Sequence, residues 1–165
     1  MIIRAAKILL LSGLALFYTL VVFNNLTDPN SNHQFVRHVL SMDTTFPGNN
    51  GMWRALSSPV WHWAFFGGII AWEILTTILL WWGAAHLLRA LRLTSAEFNT
   101  AKRVPVIGLS LSLLMWLVAF LSVGGEWFLM WQSPNWNGQE AAFRNFVVVG
   151  LVLLLLLQPD KEEQP

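Results

Sequence analysis

The chain has 165 residues, 55% of them hydrophobic and only 12% charged, with a formal net charge of +1. Soluble domains carry about 25% charged residues, so this composition excludes a soluble globule, and near-neutrality excludes a general pull on nucleic acid. With no cysteine, disulfides, thiolate metal centres, iron–sulfur clusters and a thiol nucleophile are excluded as well.

Four apolar runs have the length of membrane spans. Residues 8–23 form the first; Arg4 and Lys7 precede it, and no small-x-small cleavage site follows, so it reads as an uncleaved span. A first outer loop covers 24–59, too long for a plain connector. Within it, Ser31 or Asn32 is placed to cap a short helix over 33–42, whose Phe35, Val36, Val39 and Leu40 fall at helical spacing. Such a helix lies along the membrane surface or covers the bundle mouth. The breaker cluster at 46–51 reads as turn. Residues 60–88 form the second span and 89–103 a short basic inner loop, where Thr94 or Ser95 before Glu97 marks a helix start. The third span is 104–128 and the second outer loop 129–138. In the fourth, only 146–157 is uninterrupted; extended back to Gln139 it covers about 28 Å, with Glu140 and Arg144 near the interface. A polar tail, 158–165, follows. No internal repeat supports an inverted-repeat transporter.

The expected fold is therefore all-α: an antiparallel four-transmembrane-helix bundle with a partly helical outer loop. Orientation follows from the basic residues. With the N-terminus in the cytoplasm, Arg4, Lys7, Arg89, Arg92, Lys102, Arg103 and Lys161 lie inside, against Arg37, Arg54 and Arg144 outside, which predicts both termini cytoplasmic.

Glu73 stands near the middle of the second span, where a carboxylate costs about 2.5 to 3.5 kcal/mol on insertion scales. At about 100° per residue, His62 shares its face within about 20°, and Thr76 and Thr77 flank it. This side reads either as a proton or ligand path from the outer surface, or as a hydrogen-bonded carboxyl group that orders helix packing. The two groups are about 16 Å apart along the axis, so direct contact is excluded. In the third span Gly108, Ser112, Met115, Ala119, Ser122 and Glu126 share one line, predicting close approach of a neighbouring helix, with Glu126 turned into the mouth. Arg144 is its expected counter-ion, with Glu140 four residues earlier as a rival partner and snorkelling to the headgroups as the alternative.

Trp127 and Trp131, with other tryptophans of the outer side, read as an interfacial belt or an aromatic ligand platform. His33 and His38 are five apart, not the spacing of a helical metal pair, although Asp43 is near; His62 and His86 belong to one helix and cannot clasp a haem. No cofactor or metal is expected, and no phosphate loop, dinucleotide fingerprint or nucleophile elbow occurs. Asn25-Leu26-Thr27 matches a glycosylation acceptor.

Asn24-Asn25-Leu26-Thr27-Asp28, His38-Val39-Leu40-Ser41-Met42-Asp43-Thr44-Thr45-Phe46, Ala71-Trp72-Glu73, Gly124-Gly125-Glu126-Trp127-Phe128 and Trp136-Asn137-Gly138-Gln139-Glu140 together resemble a family of predicted small bacterial integral membrane proteins whose domain has no known function. The resemblance covers nearly the whole chain and implies a bacterial inner-membrane protein with four helices, but no activity. Three functional readings follow. The first is a non-enzymatic accessory or assembly subunit with a membrane-protein partner. The second is a small homo-oligomeric transporter or proton-coupled permeation unit using Glu73. The third is an interfacial enzyme acting on lipid or quinone through His38, Asp43, Glu126 or Glu140.

Overall fold

A computed structural model describes residues 1–161; the last four residues of the tail, 162–165, lie outside the described residues. Four helical stretches have the length and composition of membrane spans, and no strand occurs among the described residues. The first, α1, is Ile2–Thr27. It leads into α2, Pro29–Ser41, outside the spans. The second span is α3, Pro59–Ala90. The third combines α4, Ser95–Ala101, with α5, Arg103–Leu114, and a π-helical segment, Met115–Trp127. The fourth is α6, Gln139–Leu157.

Local chemistry explains the ends. Pro29 and Pro59 occupy the first turns of α2 and α3, where a missing N–H costs nothing. This places the start of α2 four residues before the expected 33, with Asp28 at the N-cap and Ser31 and Asn32 inside the helix. Thr94 and Glu97 form a reciprocal capping box on α4. Met42 closes α2 in the left-handed conformation at φ 53°.

The spans pack in the order α1, α3, α5, α6, and back to α1. The seam between α3 and α5 is tight. A Cβ on Gly83 would lie 2.6 Å from Cβ of Pro105, and one on Gly108 would lie 3.1 Å from Cβ of Leu79. Without a hydrophobic effect between helices in lipid, such close backbone approach supplies the dispersion contact that holds them. The core holds Leu11, Ala15, Leu80, Leu87, Leu109 and Met115, all fully buried, while Leu9, Leu20, Ile78, Leu151 and Leu154 face outward as a lipid-facing surface does.

One end of the bundle is capped. The amphipathic α2 buries Val36, Val39 and Leu40 against Phe66, Phe128 and Met130. The long loop is tied to the 130s loop by Thr44 Oγ1 to Ser133 Oγ at 2.7 Å and by Phe46 N to Gln132 Oε1 at 3.1 Å. Arg54 donates to the carbonyl of Trp127 at 3.2 Å and lies over the rings of Trp53 and Trp127.

The opposite end gathers both ends of the described chain. Asp160, only 6% exposed, pairs with Lys7 at 2.7 Å and Lys102 at 2.5 Å, with Arg4 at 3.8 Å. Burial favours the neutral acid, but the hydrogen bonds from Lys102 and Lys7 outweigh it and hold Asp160 below the usual carboxylate range. Asn99 donates to the Asp160 carbonyl at 3.0 Å and accepts from its N–H at 3.1 Å. The start of the polar tail is therefore a strap across the bundle end.

Candidate functional site

Glu73 lies about 21 Å along α3 from Pro59 and about 26 Å from Ala90, close to mid-helix. Its side chain is 3% exposed. Oε2 accepts from Nδ2 of Asn25 at 2.7 Å, and Oδ1 of Asn25 accepts from Nδ2 of Asn32 at 2.6 Å. A polar relay thus runs from α2 through the end of α1 to the centre of α3. Oε1 has no hydrogen-bond donor among the described residues, yet it is not sealed, because Glu73 lines a cleft of about 330 Å³.

All four spans and α2 contribute to that cleft. Asn24, Asn25, Asn32 and Asn145 bring amides to it; Phe17, Phe35, Phe66, Trp116 and Phe120 bring aromatic surface; Glu73 is its one charged side chain. Beneath it Tyr18 hydroxyl bonds Ser112, and Trp116 Nε1 donates to the Tyr18 oxygen at 2.7 Å. Further toward the terminal end the apolar core continues.

The companions of Glu73 on α3 have other tasks. His62 is buried, but its Nε2 bonds the carbonyl of Leu56 at 2.7 Å with Ser41 Oγ at 3.3 Å, so it pins the long loop to α3 and forms no relay to Glu73. Thr77 hydroxyl donates to its own helix, to the carbonyl of Glu73 at 2.7 Å. Thr76 is fully buried and its hydroxyl has no partner.

The other candidates stand apart from the cleft. His38 pairs with Asp43 at 2.8 Å and stacks on Trp136. Trp127 belongs to the cage around Arg54, and Trp131 meets Phe46 edge to face. Glu126, Glu140 and Arg144 are exposed, and the expected bridge between Glu126 and Arg144 is not formed. The cause is the π-helical segment. Ser122 hydroxyl donates to the carbonyl of Leu117, five residues back, at 2.8 Å, and Phe128 N–H reaches Val123, also five back. Each turn there consumes about one more residue than an α-turn. The small-residue line is buried from Gly108 through Met115 and then rotates outward: Ala119, Ser122 and Glu126 are exposed or half-exposed, while Trp116, Gly124 and Gly125 turn inward.

Three participants escape a reading by helical face. Asn25, part of an apparent glycosylation acceptor, has its side chain buried on Glu73, and Asn32 supports it. His33 stacks on Trp63 with centroids 3.8 Å apart, and its Nε2 is buried without a partner. Burial first, and then the electrostatic influence of His62 and Arg37, holds His33 below the usual imidazole range. The density of asparagines at 24, 25 and 32 was the available signal. Among the described residues, no group of three His, Asp or Glu side chains converges as a metal site would require.

Residues 3–159 match the family described as "Predicted small integral membrane protein (DUF2165)", a domain of unknown function. The chain belongs to this family. Its membership agrees with the four membrane-length helices, and makes the chain an integral membrane protein. No curated protein and no solved structure matches it.

Proposed function

We propose that this protein is a non-enzymatic accessory unit of the bacterial inner membrane that holds the head of a membrane-dissolved molecule at Glu73, for a membrane-protein partner or a second copy of itself. One observation carries the reading: a mid-helix carboxylate, braced on one oxygen by Asn25, presents the other to an aromatic-walled cleft. A carboxyl group that serves packing alone needs a hydrogen-bond partner but no open cleft beside it. The proposed orientation puts both termini in the cytoplasm, with seven Lys and Arg at that end against three at the capped end.

The rival readings have less support. Conduction through one protomer would need a polar route past Glu73, and beyond Thr76 and the Tyr18–Ser112 pair the interior passes to Leu80, Leu87 and Leu109, apolar and fully buried. Catalysis by His38, Asp43, Glu126 or Glu140 would need them near one reacting group, and none of them borders the cleft.

The test is native mass spectrometry of the protein released from its own membrane in mild detergent, beside the cleft-filling variant Val21→Trp. A bound small molecule is expected on the natural chain and absent from the variant. Bare protein in both, or a ligand indifferent to the variant, would overturn the reading.

A further inference from the structure

The cleft also specifies what kind of head it takes. Resting on the binding reading above, we propose that the molecule is a lipophilic cation: a single ammonium group held by Glu73, on an apolar tail that leaves between α1 and α6.

Charge is the first argument. No Lys, Arg or His lines the cleft, so the carboxylate of Glu73 has no internal counter-ion there. An ionised Glu73 would repel an anionic head in that low-dielectric space and stay unpaired beside a neutral one, whereas an ammonium both favours and pairs the ionised form. The ammonium supplies both the charge and the donor that Oε1 lacks. The second argument is the amide arrangement. Nδ2 of Asn25 is committed to Glu73, and Asn32 in turn holds the Asn25 carbonyl, so the carboxylate is fixed in one orientation before anything binds. Asn24 and Asn145 bring two further side-chain amides to the cleft, whose oxygens can accept the remaining ammonium protons. Third, the walls are aromatic: Phe17, Phe66, Trp116 and Phe120 present rings that attract a cation once water is displaced.

The size and the seam settle the tail. About 330 Å³ is at the small end of ligand pockets, enough for a head and the first part of a chain but not for a whole lipid. The seam between α1 and α6 is the least closely packed of the four. Val21 and Asn24 on one side and Ala141 and Asn145 on the other border the cleft. A tail leaving there enters acyl chains directly. A divalent metal ion suits the site poorly, because one carboxylate among amides falls short of the six or more oxygen ligands that calcium takes, and no second acid is present.

The experiment uses the full chain in phosphatidylcholine nanodiscs and two photoreactive probes with the same twelve-carbon, diazirine-bearing tail, one a primary amine and the other an alcohol. Labelling is mapped by peptide mass spectrometry and normalised to the lipid-facing stretch around Leu151 and Leu154. The amine is expected to label the cleft about tenfold more than the alcohol, as a close charge pair implies. Glu73→Gln should bring the amine down to the alcohol's level, and Glu73→Asp should retain part of the preference. Equal labelling by the two probes on the natural chain, or a preference for the alcohol, overturns the cationic head while leaving a binding cleft; this comparison needs no variant to fold. No cleft labelling by either probe overturns the binding reading itself.

Discussion

Replacing Asp160 by Asn should destabilise the whole bundle, although the residue lies beyond the last helix. The acid is 6% exposed and holds Lys7 and Lys102, themselves nearly buried, at 2.7 and 2.5 Å. Breaking a buried pair by removing one partner costs about 3–5 kcal/mol, because the other charge is left uncompensated. Two features reduce that figure. Both ammonium groups keep the Gln158 carbonyl at 2.7 Å, and Lys102 keeps Asn99 Oδ1 at 2.7 Å. About 2–3 kcal/mol is therefore expected, and for a domain of this size it corresponds to a fall in Tm of roughly 4–12 °C. The assay is thermal unfolding in mild detergent, repeated with Lys102→Met and with both substitutions together. The double variant should be less damaged than the sum of the singles, since removing Lys102 also removes a stranded charge. An Asp160→Asn variant within about 0.5 kcal/mol of the natural chain, or strict additivity, would refute the claim that the tail locks the helices through charge.

Gly83→Ala puts a Cβ 2.6 Å from Pro105 Cβ and should cost about 1–3 kcal/mol, read as lower thermal stability; an unchanged Tm would show that the α3–α5 seam yields easily. Glu73→Gln keeps an acceptor for Asn25 and should fold within about 1 kcal/mol of the natural chain, whereas Asn25→Leu strands the carboxylate and should lose about 1–3 kcal/mol. Detergent unfolding of both variants checks the order, which a larger loss in the Gln variant would reverse. His33 is held below its usual range in the docked cap, whereas the released ring titrates at about 6.5. In the window below that value, the released cap binds a proton the docked cap lacks, so docking weakens as pH falls and is full above it. Amide exchange in α2, corrected for intrinsic rates, should rise between pH 7.5 and 5.5 and become pH-independent in His33→Phe; equal protection at both pH values in the natural chain contradicts this.

Membrane class and the four-helix architecture are legible from composition and run length alone, because hydrophobic matching to a bilayer is a local property of each segment. The depth and anomaly of Glu73 are legible for the same reason. The alignment of Glu126 with Gly108 assumed a constant α-helical period, and that assumption failed once the third span widened at Met115. Nothing in a single segment shows a change of hydrogen-bond register, since it depends on neighbours accepting the rotated face.

The residues of each stretch settle, one segment at a time, which parts of the chain must leave water and where a charge would be expensive. How that expense is met depends on the packed helices. Asn25, Asn32 and Glu73 come from three different helices, and Asp160 meets Lys7 from the far end of the chain. Hydropathy acts residue by residue along the chain, whereas a hydrogen-bond or ion-pair partner is chosen by distance in space, after the helices have packed.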